Sequence, residues 1–175
     1  MIILTDDIYQ YCINAGYTIQ LARKEEIDDI LNLYKERTAW FKEKGINQWQ
    51  KYLEHHNKNE FLEAINQKQF FLICQNNTIL ACFEISEESK LWNENNNDSY
   101  YIYKIVTKVD IKNLGKLIFD ICEKIAKSNN KKYLKIDCLK RNLKLNEIYN
   151  SHDFKFVKTD TQDYYTFNLR KRTVK

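Results

Sequence analysis

A tyrosine in the last third of the chain stands where it could donate a proton. Tyr149 lies on a predicted short helix, seven residues after Asn142 and beyond an apolar run at 133–138. A phenol has a pKa of about 10, so Tyr149 stays protonated at neutral pH and can protonate a leaving group of similar basicity. The alternative is that Tyr149, one of 12 tyrosines, packs in the core.

The segment 110–116, with the sequence Asp-Ile-Lys-Asn-Leu-Gly-Lys, has the character of an anion-binding turn. It joins a predicted strand to an amphipathic helix, and the N–H groups at a helix N-terminus attract negative charge. Lys112 and Lys116 add positive charge. Because this turn precedes Tyr149 by one βα unit, the two features together predict an enzyme that holds a phosphorylated cofactor and transfers a group from it.

Several side chains are candidates for a general base. Glu84 lies in the middle of a predicted strand, where its carboxylate could take an amine proton directly or through water, or could be solvated or ion-paired. Asp137 lies in an apolar strand, where burial would raise its pKa, although a structural hydrogen bond is the commoner explanation. His55 and His56, in a polar run, and His152, in a predicted turn, are expected to be ordinary surface residues.

Length and composition exclude several classes of protein. At 175 residues, with 43% hydrophobic and 30% charged residues, the chain is expected to form one domain with a substantial core. No apolar run approaches the roughly 18 residues that a membrane span requires. The net charge of +4 is mild and the lysines are spread along the chain, which argues against nucleic-acid binding.

The cysteines indicate a cellular compartment. They show no spacing typical of a metal site, and most lie in apolar runs: Cys12, Cys74, Cys82, Cys122 and Cys138. Buried thiols are typical of proteins in a reducing compartment. We therefore predict a cytoplasmic protein with no metal cofactor.

The hydrophobic pattern predicts an α/β fold with a mixed central sheet and helices on both faces. The predicted elements are a strand at 18–22, helices at 24–44 and 61–67, a hairpin at 70–85, a strand at 101–107, a helix over 117–125, a strand at 133–138, the helix of Tyr149, and a closing antiparallel pair at 154–157 and 164–169. The polar segment 87–99 is expected to be a mobile loop. The predicted organisation is an N-terminal extension at 1–17, a domain at 18–170 and a basic tail at 171–175.

At this point the residues resemble the GNAT acyltransferase superfamily. That family typically shows an asparagine, a tyrosine and an aromatic residue at the offsets of Asn142, Tyr149 and Phe154. Residues 40–50 look like the acceptor-side segment of one bacterial branch, and residues 91–94, before the central strand, also look like that branch. The resemblance covers roughly 18–169. It implies acetyl-coenzyme A (acetyl-CoA) as donor, a small or peptidyl primary amine as acceptor, and direct transfer in a ternary complex.

The resemblance also implies site residues. Main-chain groups would hold the cofactor where the central strand separates from its neighbour, with further contacts from the phosphate turn and the next loop: Ile105, Val106, Thr107, Lys112, Asn113, Leu114, Gly115, Lys116 and Asn142. Trp40, Gln48 and Trp49 would wall the acceptor site, unless both tryptophans are core contacts. Tyr103 could line the same pocket. Tyr149 and Glu84 are the candidate catalytic pair.

The phosphate turn departs from the family pattern. The family usually has Arg or Gln, two residues, Gly, one residue, then Gly or Ala, whereas Asp110 replaces the cation or amide here and Asn113 replaces the first glycine. Asparagine is the least costly other residue if φ must be positive. A turn about two residues shorter than usual is the alternative alignment.

Two further hypotheses follow. The altered turn leaves open a binding or regulatory module that shares the fold but has weak or no coenzyme A (CoA) binding. A sheet edge near 164–169 is expected to be able to pair with a second copy.

Overall fold

The computed structural model describes residues 2–46, 48–49, 58–94 and 97–175, which form one seven-stranded sheet with helices on both faces. The helices are α1 (Asp6–Asn14), α2 (Ile27–Glu43), α3 (Lys58–Asn66), α4 (Leu114–Ser128) and α5 (Leu143–Ser151), and a 3₁₀ turn at Lys24–Glu26 leads into α2. The strands are β1 (Thr18–Leu21), β2 (Phe70–Gln75), β3 (Thr78–Ser86), β4 (Ser99–Thr107), β5 (Tyr133–Leu139), β6 (Lys155–Gln162) and β7 (Tyr165–Thr173). The predicted fold class is therefore confirmed.

The strands lie in the order β1-β2-β3-β4-β5-β7-β6. Strands β4 and β5 run parallel, and the other pairs of described strands are antiparallel. The crossover between β4 and β5 is α4, so the turn at 108–113 and the start of α4 lie at the end of β4. This placement puts the predicted phosphate turn at the carboxyl end of the central strand.

The sheet buries a separate core on each face. Helices α1 and α4 cover one face, where the predicted apolar stripe of α4 is buried: Leu117, Ile118, Ile121, Cys122 and Ile125. Helices α2 and α3 cover the other face over β2 and β3. Two buried faces explain why β2 is apolar almost throughout rather than alternating.

Asparagine and glycine end two elements as their residue types predict. Asn76 and Asn77 form the β2–β3 turn with φ of 49° and 61°, as a tight hairpin with two left-handed residues requires. Gly45, with φ of 66°, ends α2, and the Ile46 N–H donates to the Phe41 carbonyl at 2.8 Å. Both features confirm the predicted hairpin and the predicted end of the first long helix.

Both ends of the chain belong to the domain. Ile8 and Cys12 of α1 are fully buried in the first core, so residues 2–17 pack on the domain rather than standing apart as an extension. Strand β7 continues to Thr173, where Arg172 forms an ion pair with Glu123 of α4. Residues 171–173 of the predicted basic tail therefore lie in β7, which pairs with β5.

Two other expectations differ from the structure. Strand β7 lies between β5 and β6, so the sheet edge is β6 and not the segment 164–169. The polar segment after β3 contains Trp92, which is only 2% exposed and packs 6.2 Å from the Tyr101 ring. Trp92 therefore packs on the sheet. The polar residues that surround Trp92 in the sequence do not indicate this burial.

None of the helices in the described ranges combines the length and apolar character that a bilayer-spanning helix requires.

Candidate active site

The sheet opens between β4 and β5. The two strands pair only over 99–101 and 133–135, and beyond these residues β5 pairs with β7 alone. A bulge bends β4 away: Lys104 has φ of 51°, and the pairing with β3 shifts by one residue between Cys82 and Glu84. The result is a wedge-shaped gap along 102–107 of β4, on the side where a parallel partner would otherwise continue.

Two residues of α2 hold the bent part of β4, and sequence analysis missed both. The Tyr34 hydroxyl donates to the Lys104 carbonyl. The Arg37 guanidinium donates to the Thr107 carbonyl from Nε at 2.9 Å and from Nη2 at 2.6 Å, and to the Lys108 carbonyl at 3.0 Å. Tyr34 and Arg37 are three residues apart and so share one helix face, which is the signal that could have drawn attention to them.

The turn after β4 leads into the first turn of α4, whose main-chain N–H groups have no helical acceptor. Asn113 precedes α4 with φ of 67°, the left-handed conformation that its residue type predicts, and Asp110 has φ of 73°. The first helical bond runs from the Leu117 N–H to the Asn113 carbonyl at 3.1 Å, and within the described chain the N–H groups of 114–116 have no acceptor. Together with the helix dipole, these groups make the turn a candidate anion-binding surface.

Gly115 leaves open space beside those N–H groups. A Cβ added at Gly115 would meet no protein atom within 4 Å. Glycine is therefore not required there by the packing of the protein itself. Its value is that a ligand could approach the main chain closely.

The charges around this turn are partly compensated. Lys116 forms an ion pair with Asp120 at 2.5 Å, so its ammonium lies along the helix. Asp110 is exposed and lies near Arg37, whose pKa is lowered by burial and raised in part by the Asp110 charge. The exposed Lys112 remains a cation of the turn itself.

Tyr149 of α5 is buried in the first core, the packing that was its alternative role. It is 7% exposed and packs against Phe119 and Phe154, with ring centroids 5.9 and 6.0 Å away. Burial first, then the Cys138 thiol and the Asp137 carboxylate, raise the pKa of its hydroxyl well above the usual value. The raised pKa keeps the hydroxyl protonated at neutral pH, and no hydrogen-bond partner of the hydroxyl lies in the described part of the chain.

Asn142 connects two predicted parts of the site. Its side-chain oxygen accepts from the Leu145 N–H at 3.1 Å and so caps α5. Its amide nitrogen donates to the side-chain oxygen of Gln48. The structure thus brings a predicted cofactor residue into contact with a predicted acceptor residue, although the two are 94 positions apart.

A buried polar network, which sequence analysis also missed, fixes α5 on the sheet. Asn146 accepts from Asn168 at 2.7 Å and from the buried Arg170 at 3.1 Å, and it donates to the Leu139 carbonyl at 3.1 Å. Because every polar group of Asn146 has a partner, the network fixes the position of the helix that carries Tyr149.

The predicted acceptor residues lie in different surroundings. Trp49 packs on Tyr34 and Phe41 at 5.4 and 5.6 Å, the core contact that was its alternative role. Trp40 is partly buried under the Arg37 guanidinium, 5.1 Å from its ring. Tyr103 lies at the gap, where burial raises its pKa.

The histidines at 55 and 56 lie outside the described residues.

The predicted base Glu84 is already paired. It is 8% exposed, and the Lys104 ammonium binds its carboxylate. The bulge at Lys104 brings this ammonium onto Glu84, so the ion-paired alternative describes this residue. Asp137 differs, because its carboxylate has no side-chain hydrogen bond among the described residues and burial alone raises its pKa to about 6.

Sequence comparisons find no protein-family model and no curated protein that matches this chain. Solved structures match it well. An acetyltransferase of the GNAT family from Listeria monocytogenes superimposes with a TM-score of 0.74 at 20% identity, covering 90% of this chain and 94% of that one. The chain has the GNAT acetyltransferase fold.

Two other structures that match this chain are N-acetyltransferases by name. The PaiA N-acetyltransferase from Thermoplasma acidophilum, in complex with coenzyme A, matches with a TM-score of 0.68 at 16% identity over 90% of this chain and 98% of that one. The ribosomal-protein-S18-alanine N-acetyltransferase from Escherichia coli matches with a TM-score of 0.65 at 11% identity over 90% and 94%. At these identities the likeness establishes the fold.

Proposed function

We propose that this protein is an acetyl-CoA-dependent N-acetyltransferase that transfers the acetyl group directly to a primary amine in a ternary complex. The observation that carries the proposal is the gap between β4 and β5, which ends at a turn whose N–H groups at 114–116 have no acceptor among the described residues. The GNAT-fold protein from Thermoplasma acidophilum holds coenzyme A, which supports the same donor here.

The described residues fit such a donor. Ile105, Val106 and Thr107 would offer main-chain groups to the pantetheine arm, because β5 does not pair with this part of β4. The phosphate turn, with the N–H groups of Asn113, Leu114, Gly115 and Lys116 and the charge of Lys112, would hold the pyrophosphate. Asn142 would contact the arm from the opposite side while still capping α5.

Few side chains would then take part in the acetyl transfer. Bound acetyl-CoA supplies an activated thioester. Tyr149 would donate its proton to the departing sulfur, and its raised pKa means that the hydroxyl is protonated at neutral pH before the reaction begins. Tyr103, Trp40 and Gln48 would position the amine. Packing of Phe119 and Phe154 around Tyr149 excludes water from the acid.

The described cysteines are unpaired and buried, which supports a reducing compartment, and we place the protein in the cytoplasm on that basis.

Calorimetric titration with acetyl-CoA tests the proposal. We expect micromolar binding, and at a hundredfold excess over the dissociation constant the ligand should add about 2.7 kcal/mol to the free energy of unfolding. No binding at millimolar acetyl-CoA would refute the enzyme and favour a binding or regulatory module. The replacement of a cation by Asp110 and the pairing of Lys116 with Asp120 are the observations behind that second candidate.

Asp110 offers a direct test of the phosphate turn. Asp110→Asn removes a negative charge and keeps a residue that tolerates φ of 73°. We expect coenzyme A to bind about threefold more tightly, with a larger gain at low ionic strength, because the pyrophosphate no longer faces a carboxylate. Asp29→Asn, on the exposed side of α2, is the matched control. Equal affinities at low salt would mean that Asp110 points away from the ligand.

A further inference from the structure

Tyr103 and Asp137 face each other across the narrow end of the gap. The last residues that pair between β4 and β5 are Tyr101 and Lys135. Side chains alternate along a strand, so the residues two positions further on, Tyr103 and Asp137, project from the same sheet face. The pairing between β4 and β5 has already ended at this point, so no ladder hydrogen bond joins the two residues. They are also close enough for the Asp137 charge to raise the pKa of Tyr103.

Two lysines on this face, Lys104 and Lys135, are neutralised by neighbouring carboxylates. Lys104 binds Glu84, and Lys135 binds Glu94 while lying 5.0 Å from the Trp92 ring. Asp137, in contrast, has no side-chain partner in the described ranges. An unpaired carboxylate in a partly buried position costs stability, and proteins retain such groups mainly at functional sites.

The surroundings of Asp137 contain titratable groups but no cation that moves its pKa. The Asp137 charge raises the pKa of three groups: Tyr103 on β4, Cys138 beside it on β5, and Tyr149 on α5. All three are neutral at physiological pH, because their pKa values are raised. The site therefore combines one negative charge with apolar and aromatic walls, to which Leu91 and Phe167 contribute.

We propose that Asp137 binds the acceptor as a primary ammonium ion and accepts its proton, so that the substrates are primary amines that are cationic at neutral pH and carried on an apolar stem. This inference rests on the proposed function and specifies its acceptor. It assigns to Asp137 the role that the sequence suggested for Glu84. The charge of Asp137 pairs with the ammonium, and Tyr103 with its neighbours covers the stem.

The protons balance in this scheme. The ammonium gives one proton to the Asp137 carboxylate, which releases it to solvent. The nitrogen lone pair then forms the C–N bond as the C–S bond breaks. The sulfur takes the Tyr149 proton, and the second proton lost by the nitrogen restores Tyr149. The products are the N-acetyl amide, the free thiol and one proton.

The test compares Asp137→Asn with the wild type, using phenethylamine, tryptamine and spermidine as probe acceptors. We expect kcat/KM for the best probe to fall about 100-fold, with coenzyme A affinity unchanged within about twofold. In the wild type, kcat/KM should drop as the pH falls through about 6, where Asp137 becomes protonated. This acid limb should be absent from the variant. Asp29→Asn is the matched control.

Binding provides a readout that does not need turnover. Phenethylammonium is titrated calorimetrically into the protein loaded with coenzyme A, and Asp137→Asn should weaken its binding about tenfold or more. Equal binding by the two proteins, including equal absence of binding, would overturn the inference. Loss of coenzyme A binding in the wild type would overturn the proposed function itself, so the two failures are distinguishable.

Stability provides a third readout. Because burial raises the pKa of Asp137 to about 6, the folded state binds this proton more tightly than the unfolded state does. Its ionisation therefore costs stability, and the cost appears as the pH rises through the interval between the unfolded and folded pKa values. Asp137→Asn should raise Tm by about 5 °C at pH 8 and by much less at pH 4. A lower Tm at pH 8 would show a structural role and contradict the proposal.

Discussion

Replacing Tyr149 with phenylalanine is expected to lower kcat about 10³-fold and to leave the affinity for acetyl-CoA within about twofold of the wild type. The phenol donates to the departing sulfur only as the C–S bond breaks, so its loss affects the transition state rather than cofactor binding. The ring itself remains, and with it the contacts to Phe119 and Phe154 at 5.9 and 6.0 Å.

The measurement is the rate of thiol release at saturating acetyl-CoA, with calorimetry for the affinity. Tyr164→Phe is a suitable control, because it removes the same hydroxyl group from a tyrosine that is 99% exposed at the surface. Unchanged turnover in Tyr149→Phe would exclude Tyr149 as the acid. A parallel loss of cofactor affinity would indicate instead that the hydroxyl binds the thioester before reaction.

Arg37→Met should weaken both the fold and the cofactor site. The substitution keeps an apolar stem beside Trp40 but removes the guanidinium that bonds to the Thr107 carbonyl at 2.9 and 2.6 Å and to Lys108 at 3.0 Å. We expect the free energy of unfolding to fall by about 3 kcal/mol, because the guanidinium makes several charge-assisted hydrogen bonds that water replaces only in part. Urea denaturation would measure this loss.

The effect on ligand binding follows from the same bonds. Arg37 holds the point at which β4 passes into the phosphate turn, so its loss should loosen that turn and weaken coenzyme A binding about tenfold. Arg23→Met is the matched control, because the side chain of Arg23 is 71% exposed and pairs only with Glu26 among the described residues. Stability loss without a change in affinity would limit Arg37 to a structural role.

The phosphate turn shows that residue type alone can predict a local backbone conformation. Asn113 at the start of α4 is left-handed, as the choice of asparagine at a glycine position indicates. The amphipathic stripe of α4 and the asparagine turn between β2 and β3 were predictable for the same reason. In each case neighbouring residues in the chain determine the local backbone conformation.

The carboxylates show where such prediction ends. Glu84 and Asp137 both lie in apolar strands, and the sequence offered both as possible bases. The structure distinguishes their surroundings, since the Lys104 ammonium binds Glu84 whereas Asp137 has no side-chain partner among the described residues. A one-residue shift in pairing is invisible in the hydrophobic pattern, yet it changes which side chains meet.

The sequence by itself determined the order of elements, the fold class and the turn that leads into α4, because these depend on periodicity and on residues adjacent in the chain. The tertiary structure alone decided which distant groups complete the site. Arg37 reaches Thr107 across 70 positions and Asn142 reaches Gln48 across 94. The depth at which Asp137 is buried likewise depends on the packing of several elements around the gap, and that packing follows from the register and separation of the strands.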